Sequence, residues 1–200
     1  MVMQSTFGNP SPAHLRRLAR TLGGLLVASL AVLPAAYAAQ GGPEMPAQLQ
    51  ESGKSLQLNG RSTFRKFMFS VYDVGLYLEN PTRDPDQIIA SEQTKLLRIR
   101  LLHDVTGAQV ADMLRQRLQQ VAPAEKGLWK GLEGTLGQLP DLNAGANLVI
   151  AYHPTKGTTE LAVGGKRIVL AGKGYADAIL KIWLGHDQWA AQMRSELAGG

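Results

Sequence analysis

Between Asn147 and Gly185 the chain reads as three short strands and a helix, an order that leaves few folds open. Leu148 to Tyr152 is an apolar run of strand length, Pro154 to Gly157 a turn, and Thr158 to Val163 a second strand. Gly164-Gly165 then forms a tight turn into Lys166 to Leu170, since glycine supplies the positive φ that two-residue hairpin loops demand. Ala176 to Leu184 places Ile179, Leu180 and Trp183 on one helical face. Strands joined by connections this short pair antiparallel, because a parallel pair needs a crossover of about a dozen residues or more.

The upstream half supplies more strands and a helical insert. Leu56 and Leu58 alternate with polar neighbours, and Asn59-Gly60 predicts a hairpin turn with the chain resuming at Arg61. Phe64 to Ser70 and Val71 to Leu78 read as sheet, with Gly75 marking a bulge or a close backbone approach. Asn80 to Asp86 is a loop, and Ile88-Ile89 starts a short helical turn. Leu97, Ile99 and Leu101 alternate with Arg98 and Arg100, a half-buried strand with its arginines toward solvent.

Thr106 is a good N-cap for a helix through Val121, with Val110, Met113, Leu114, Leu118 and Val121 on one face. Beyond Pro123, Leu128, Leu132, Leu136 and Leu139 predict a second helix. Its glycines, Gly127, Gly131, Gly134 and Gly137, each cost nearly 1 kcal/mol against alanine and imply close packing. Asp187 caps a last helix to about Leu197. Strands, helices, strands and helices in that order make an α+β fold, a sheet packed on a layer of helices.

The first 38 residues are not expected to join that fold. Arg16, Arg17 and Arg20 precede a twelve-residue apolar run, Leu22 to Leu33, and Ala36-Tyr37-Ala38 follows Pro34. This is the order of a secretory signal peptide cut after Ala38, and the run is shorter than the about 20 residues of a spanning helix. Export to the periplasm follows, with residues 39–55 a flexible N-terminal segment and 56–200 the domain. The Arg16-Arg17 pair leaves Sec and twin-arginine routes both open.

Removing the leader alters the charge reading. The chain carries +5, and losing three arginines with no acids leaves +2 over 162 residues. No block of basic residues remains, which argues against nucleic-acid binding. Cysteine is absent, so disulfides, thiolate catalysis and cysteine-ligated metals are excluded. His14, His103, His153 and His186 are scattered with no helical ligand spacing, so neither a metal nor another cofactor is expected.

Two blocks carry a family resemblance: Gly60-Arg61 leading into Tyr72 to Glu79, and Asn147 to Gly185. Together they resemble the chalcone isomerase fold family, in particular its secreted bacterial branch, across Leu56 to Leu197. The resemblance implies an open-faced antiparallel sheet packed against a helix layer, with a ligand cleft between them. In the enzymes an arginine guides the substrate, a threonine and a tyrosine hold a water, and an asparagine and a second hydroxyl residue line the far side.

Matched residue by residue, Arg61 corresponds to the arginine, allowing one deletion. Tyr72, five residues before Tyr77, stands where the threonine belongs, Val110 where the tyrosine does, Arg117 for the asparagine and Ile182 for the second hydroxyl residue. Valine and isoleucine offer no hydrogen bond to a water or a developing enolate. What the resemblance leaves is Arg61, Tyr72 and Arg117 as ligand-binding candidates in an apolar cleft. That suits a small amphipathic anion such as a fatty acid, because guanidinium grips carboxylate through paired hydrogen bonds. A non-catalytic binder is therefore expected, with an isomerase or lyase acting on an enone, or an envelope interaction protein, as the alternatives. Trp183 is expected in the core and His103 at the surface.

Overall fold

The computed structural model describes residues 45–124 and 126–199; the predicted signal peptide and residues 39–44 of the flexible segment lie outside the described residues. Seven strands form one antiparallel sheet in sequence order: β1 (Gln48–Glu51), β2 (Lys54–Lys66), β3 (Phe69–Leu78), β4 (Lys95–Leu101), β5 (Asn147–His153), β6 (Thr158–Val163) and β7 (Lys166–Ala171). Among the described residues, five α-helices complete the fold: α1 (Pro85–Ala90), α2 (Gly107–Val121), α3 (Lys126–Leu136), α4 (Lys173–Leu184) and α5 (Ala191–Leu197). This is the α+β arrangement expected.

The side-chain alternation of β3 divides the molecule. Tyr72, Val74, Leu76 and Leu78 face the helices and join Leu97, Ile99, Leu114, Leu118, Ile182 and Trp183 in the main core. Tyr77 faces the other way, into a smaller core with Leu49, Leu56, Leu96, Val149 and Ala151. Both faces of the sheet are thus apolar in part, and the second must be covered by something other than a helix.

The sheet covers it by curling. Glu51 on β1 and His153 on β5 are four strands apart, about 19 Å across a flat sheet at the usual strand spacing. Their side chains nevertheless approach to 3.6 Å, and both are buried. A half-barrel closed toward the face away from the helices satisfies both observations. It also overturns the expectation for Arg98, which is 6% exposed rather than solvated: its Nε donates to Asn147 Oδ1 at 3.0 Å. Arg100 is half-buried. Alternation identified the strand, but not that its polar side would be roofed over.

Asn59-Gly60 is not a turn. It lies inside β2, at a register shift between Leu58 and Gly60, and the hairpin turns fall at Ser52-Gly53 and Phe67-Met68. Tertiary contacts override the local turn signal here. Asn59 Nδ2 donates to the Leu197 carbonyl at 2.7 Å and its Oδ1 accepts from the Thr82 amide at 2.8 Å. A Cβ on Gly60 would stand 2.2 Å from the Glu196 carbonyl oxygen, so only glycine lets the end of α5 dock on the strand.

The helices follow their sequence signals more closely. Thr106 caps α2 in a reciprocal capping box with Gln109. α4 starts at Lys173, three residues before expectation, and α3 stops at Leu136, so Leu139 falls in the following loop. Of the three α3 glycines only Gly131 meets a close neighbour, the Tyr175 hydroxyl at 2.3 Å from an added Cβ; Gly127 and Gly134 face open space, and Gly137 lies beyond the helix. Asp187 caps a turn, its Oδ1 accepting from the Ala190 amide at 2.8 Å, and α5 begins one residue later.

Candidate functional site

Where β2 and β3 run beyond the rest of the sheet, their helix-side face and α2 enclose a cleft of about 670 Å³. Phe64 and Tyr72 form one wall, Met113 and Arg117 of α2 the opposite one, Trp189 the base, and Phe67 the mouth. The register pairs Phe64 directly with Tyr72, and the rings stack with centroids 5.0 Å apart. Phe64 also meets Trp189 at 5.2 Å, and the Arg117 guanidinium sits over the Trp189 ring at 4.1 Å. A run of aromatic rings therefore leads from the core to a cation.

Tyr72 anchors the inner end. Trp183 Nε1 donates to its hydroxyl at 3.0 Å, both residues being buried. Burial holds the Tyr72 phenol well above its ordinary value despite the lowering pull of the Trp183 bond and of Arg117. The group is thus a neutral hydroxyl whose own proton has no acceptor among the described residues.

Arg117 anchors the other end of the aromatic run, over Trp189. Its two terminal nitrogens donate to Asp187 Oδ2 at 2.6 Å and Gln120 Oε1 at 2.5 Å, and its Nε is buried without a hydrogen-bond partner. Burial raises the Asp187 carboxyl, but the Ala190 amide and Arg117 outweigh it, and the group stays ionised below its ordinary range. The ion pair with Asp187 fixes the guanidinium plane and leaves donors to spare. A buried orphan donor costs free energy unless something else fills its place.

Of the three candidate residues, the fold brings Tyr72 and Arg117 together and leaves Arg61 apart. Arg61 pairs with Gly75, three residues from Tyr72 on β3, so it points to the opposite face of the sheet. There it joins Arg65, Arg100, Thr63 and Asp73 around a separate polar hollow of about 420 Å³. The expected pairing of Arg61 with Tyr72 is not formed; a shift of one residue in matching the arginine reverses the face.

Val110 and Ile182 are buried in the main core, so neither presents a polar atom to the cleft. Trp183 is the core residue expected. Trp189 and Phe64 were not foreseen as cleft residues, nor Asp187 as the partner of Arg117. The pairing of Phe64 with Tyr72 is readable only once the two-residue loop at Phe67-Met68 sets the register.

Comparison with known proteins gives a consistent result. A family model described as chalcone isomerase-like matches residues 38–199. No curated protein matches the chain. Among solved structures, a crystal structure of a fatty-acid binding protein from Arabidopsis thaliana is similar at a TM-score of 0.59 and 12% identity, covering 77% of this chain and 90% of that one. At that identity the likeness is one of fold.

Proposed function

This chain belongs to the chalcone isomerase-like family, and from that premise we propose that it is a non-catalytic binder of a small amphipathic anion, such as a fatty acid, working after export. The single observation that carries the reading is an aromatic cleft of about 670 Å³ ending at a partly desolvated arginine with an unused Nε donor. A carboxylate at Arg117 accepts that donor, with the Tyr72 proton within the same cleft as a second. The acyl chain lies along Phe64, Met113 and Trp189 toward the mouth at Phe67. An apolar wall with few convergent polar groups is how proteins hold such ligands. A similar fold in a fatty-acid binding protein supports this choice of ligand class.

The test is calorimetric titration of the purified protein with palmitate. Arg117→Gln is expected to weaken binding by about tenfold or more, the scale of a hydrogen bond to a charged group. Arg61→Gln, on the other face, leaves affinity unchanged. Because Arg117 also pairs with Asp187, a Met113→Trp variant that fills the cleft serves as a second probe and is expected to abolish binding. Absence of binding by the unmodified protein, or equal affinity in all three variants, would sink the reading.

A further inference from the structure

The two-residue loop between β2 and β3 projects large apolar side chains beyond the core and past the mouth of the cleft. Phe67 and Met68 are 91% and 90% exposed, and Phe69 is 67% exposed. Only Val169 joins them as a large exposed hydrophobic among the described residues, so three of four stand consecutively at one hairpin tip. Single exposed apolar residues are ordinary, whereas a contiguous projecting group marks a contact surface. Phe67 moreover holds φ at +56°, a left-handed conformation unfavourable for a side chain of that size. Glycine or asparagine would occupy this position at less cost.

Charge indicates what the tip meets. Arg65 and Lys66 immediately precede it, both are exposed, and neither forms an ion pair with a carboxylate of the described residues. The same three residues, Arg65, Lys66 and Phe67, line the mouth of the cleft. Three side chains bury at most about 600 Å², short of the roughly 800 Å² per partner of a stable protein interface. A lipid interface sets no such requirement of area or shape, since each apolar group partitions on its own.

We propose that the β2–β3 hairpin tip docks the protein on an anionic lipid surface. Phe67, Met68 and Phe69 enter the boundary between head groups and acyl chains, and Arg65 and Lys66 lie against the phosphates. The docking stands on the tip alone; that it opens the cleft onto a source of acyl chains rests on the function proposed above.

Co-sedimentation with vesicles tests it. Phosphatidylcholine vesicles are compared with vesicles of equal parts phosphatidylcholine and phosphatidylglycerol, at low and high salt. Binding is expected to favour the anionic vesicles and to weaken with salt. Met68→Ser/Phe69→Ser, which alters no residue of the cleft, is expected to lower the partition coefficient by about tenfold or more. Arg65→Gln/Lys66→Gln should remove the preference for anionic lipid. Palmitate titration of the Met68→Ser/Phe69→Ser variant in the absence of vesicles is expected to match the unmodified protein, which keeps docking and ligand binding separable. Failure to sediment with either vesicle, or sedimentation unchanged in the serine variant, overturns the proposal. So does a concentration-dependent dimer that the serine variant abolishes, because the tip is then a contact between two copies.

Discussion

The two faces of the curled sheet are built from the same strands and solve different problems. On the helix side, Tyr72, Val74, Leu76, Leu97 and Ile99 pack against α2 and α4, and the buried Trp183 N–H finds its acceptor in the Tyr72 hydroxyl. On the other side, rows of polar and charged residues, Arg61 and Arg98 flanking Gly75, Thr63 and Arg100 flanking Asp73, run into a small core around Tyr77. That face leaves the Tyr77 hydroxyl and Arg100 Nε buried without hydrogen-bond partners. Among the described residues, the helix face is closed by the helices, and the far face by curvature with Met45 packed against it. Stability should therefore concentrate on one side of the sheet and tolerance on the other.

The largest test of that contrast truncates one buried side chain on each face. Trp183 on α4 is fully buried, and Trp183→Ala is expected to cost about 3–5 kcal/mol, a large share of the stability of a typical domain. Val149→Ala on the far face removes two methyl-sized groups and should cost about 2 kcal/mol. Denaturant unfolding of both variants measures the difference. Equal losses would mean that the smaller core is not a separate, weaker unit.

A gentler substitution sharpens the same comparison, because the identical atom is removed from both faces. Tyr72→Phe leaves the Trp183 indole N–H buried without an acceptor, and about 1–3 kcal/mol should be lost. Tyr77→Phe deletes a hydroxyl that has no partner and is pushed to a pKa of about 12 by burial, so its loss should be neutral or slightly stabilising. Thermal melts of the two variants should move apart. If Tyr77→Phe were the more damaging change, its hydroxyl would have a partner on the far face after all.

The contrast also explains what the sequence could and could not convey. Elements made by local rules were readable: the N-cap at Thr106, the Gly164-Gly165 turn, and the strands β4 and β6 all correspond to observed structure. Features fixed by distant segments were not. Asn59-Gly60 has the composition of a hairpin turn, yet it exists to admit the end of α5 from more than a hundred residues away. Arg98 has the alternation of a solvent-facing residue, yet β1 and β5 converge and bury that side. For the site, the matched positions of Tyr72 and Arg117 fall in one cleft, whereas Arg61 falls on the other face, because a strand's period of two reverses the face with any one-residue slip. Trp189 lies in an irregular turn after α4, where no periodicity points to a face.

The smallest expected effect lies at the closed end of the far face, and it depends on pH. Burial is the main cause lowering the His153 pKa below its ordinary 6.5; Glu51 and Glu160 pull it up, and Lys156 and Arg167 push it further down. Glu160 is itself engaged by Arg167, which blunts its attraction for a protonated ring. The unfolded chain thus takes up a proton as pH falls through about 6.5, while the folded state resists it until a lower pH. With more protons bound in the unfolded state, stability must decline across that window and level off once the folded ring is also protonated. The lowered carboxyls of Glu79, Asp187 and Glu196 act in a separate, more acidic window, below their ordinary values of 3.8 to 4.5. His153→Gln should therefore flatten the stability profile between neutral pH and the carboxylate range, and leave the acid limb in place. An unchanged slope in that variant would mean the closed end opens on protonation without cost, and that the half-barrel is held by its apolar residues alone.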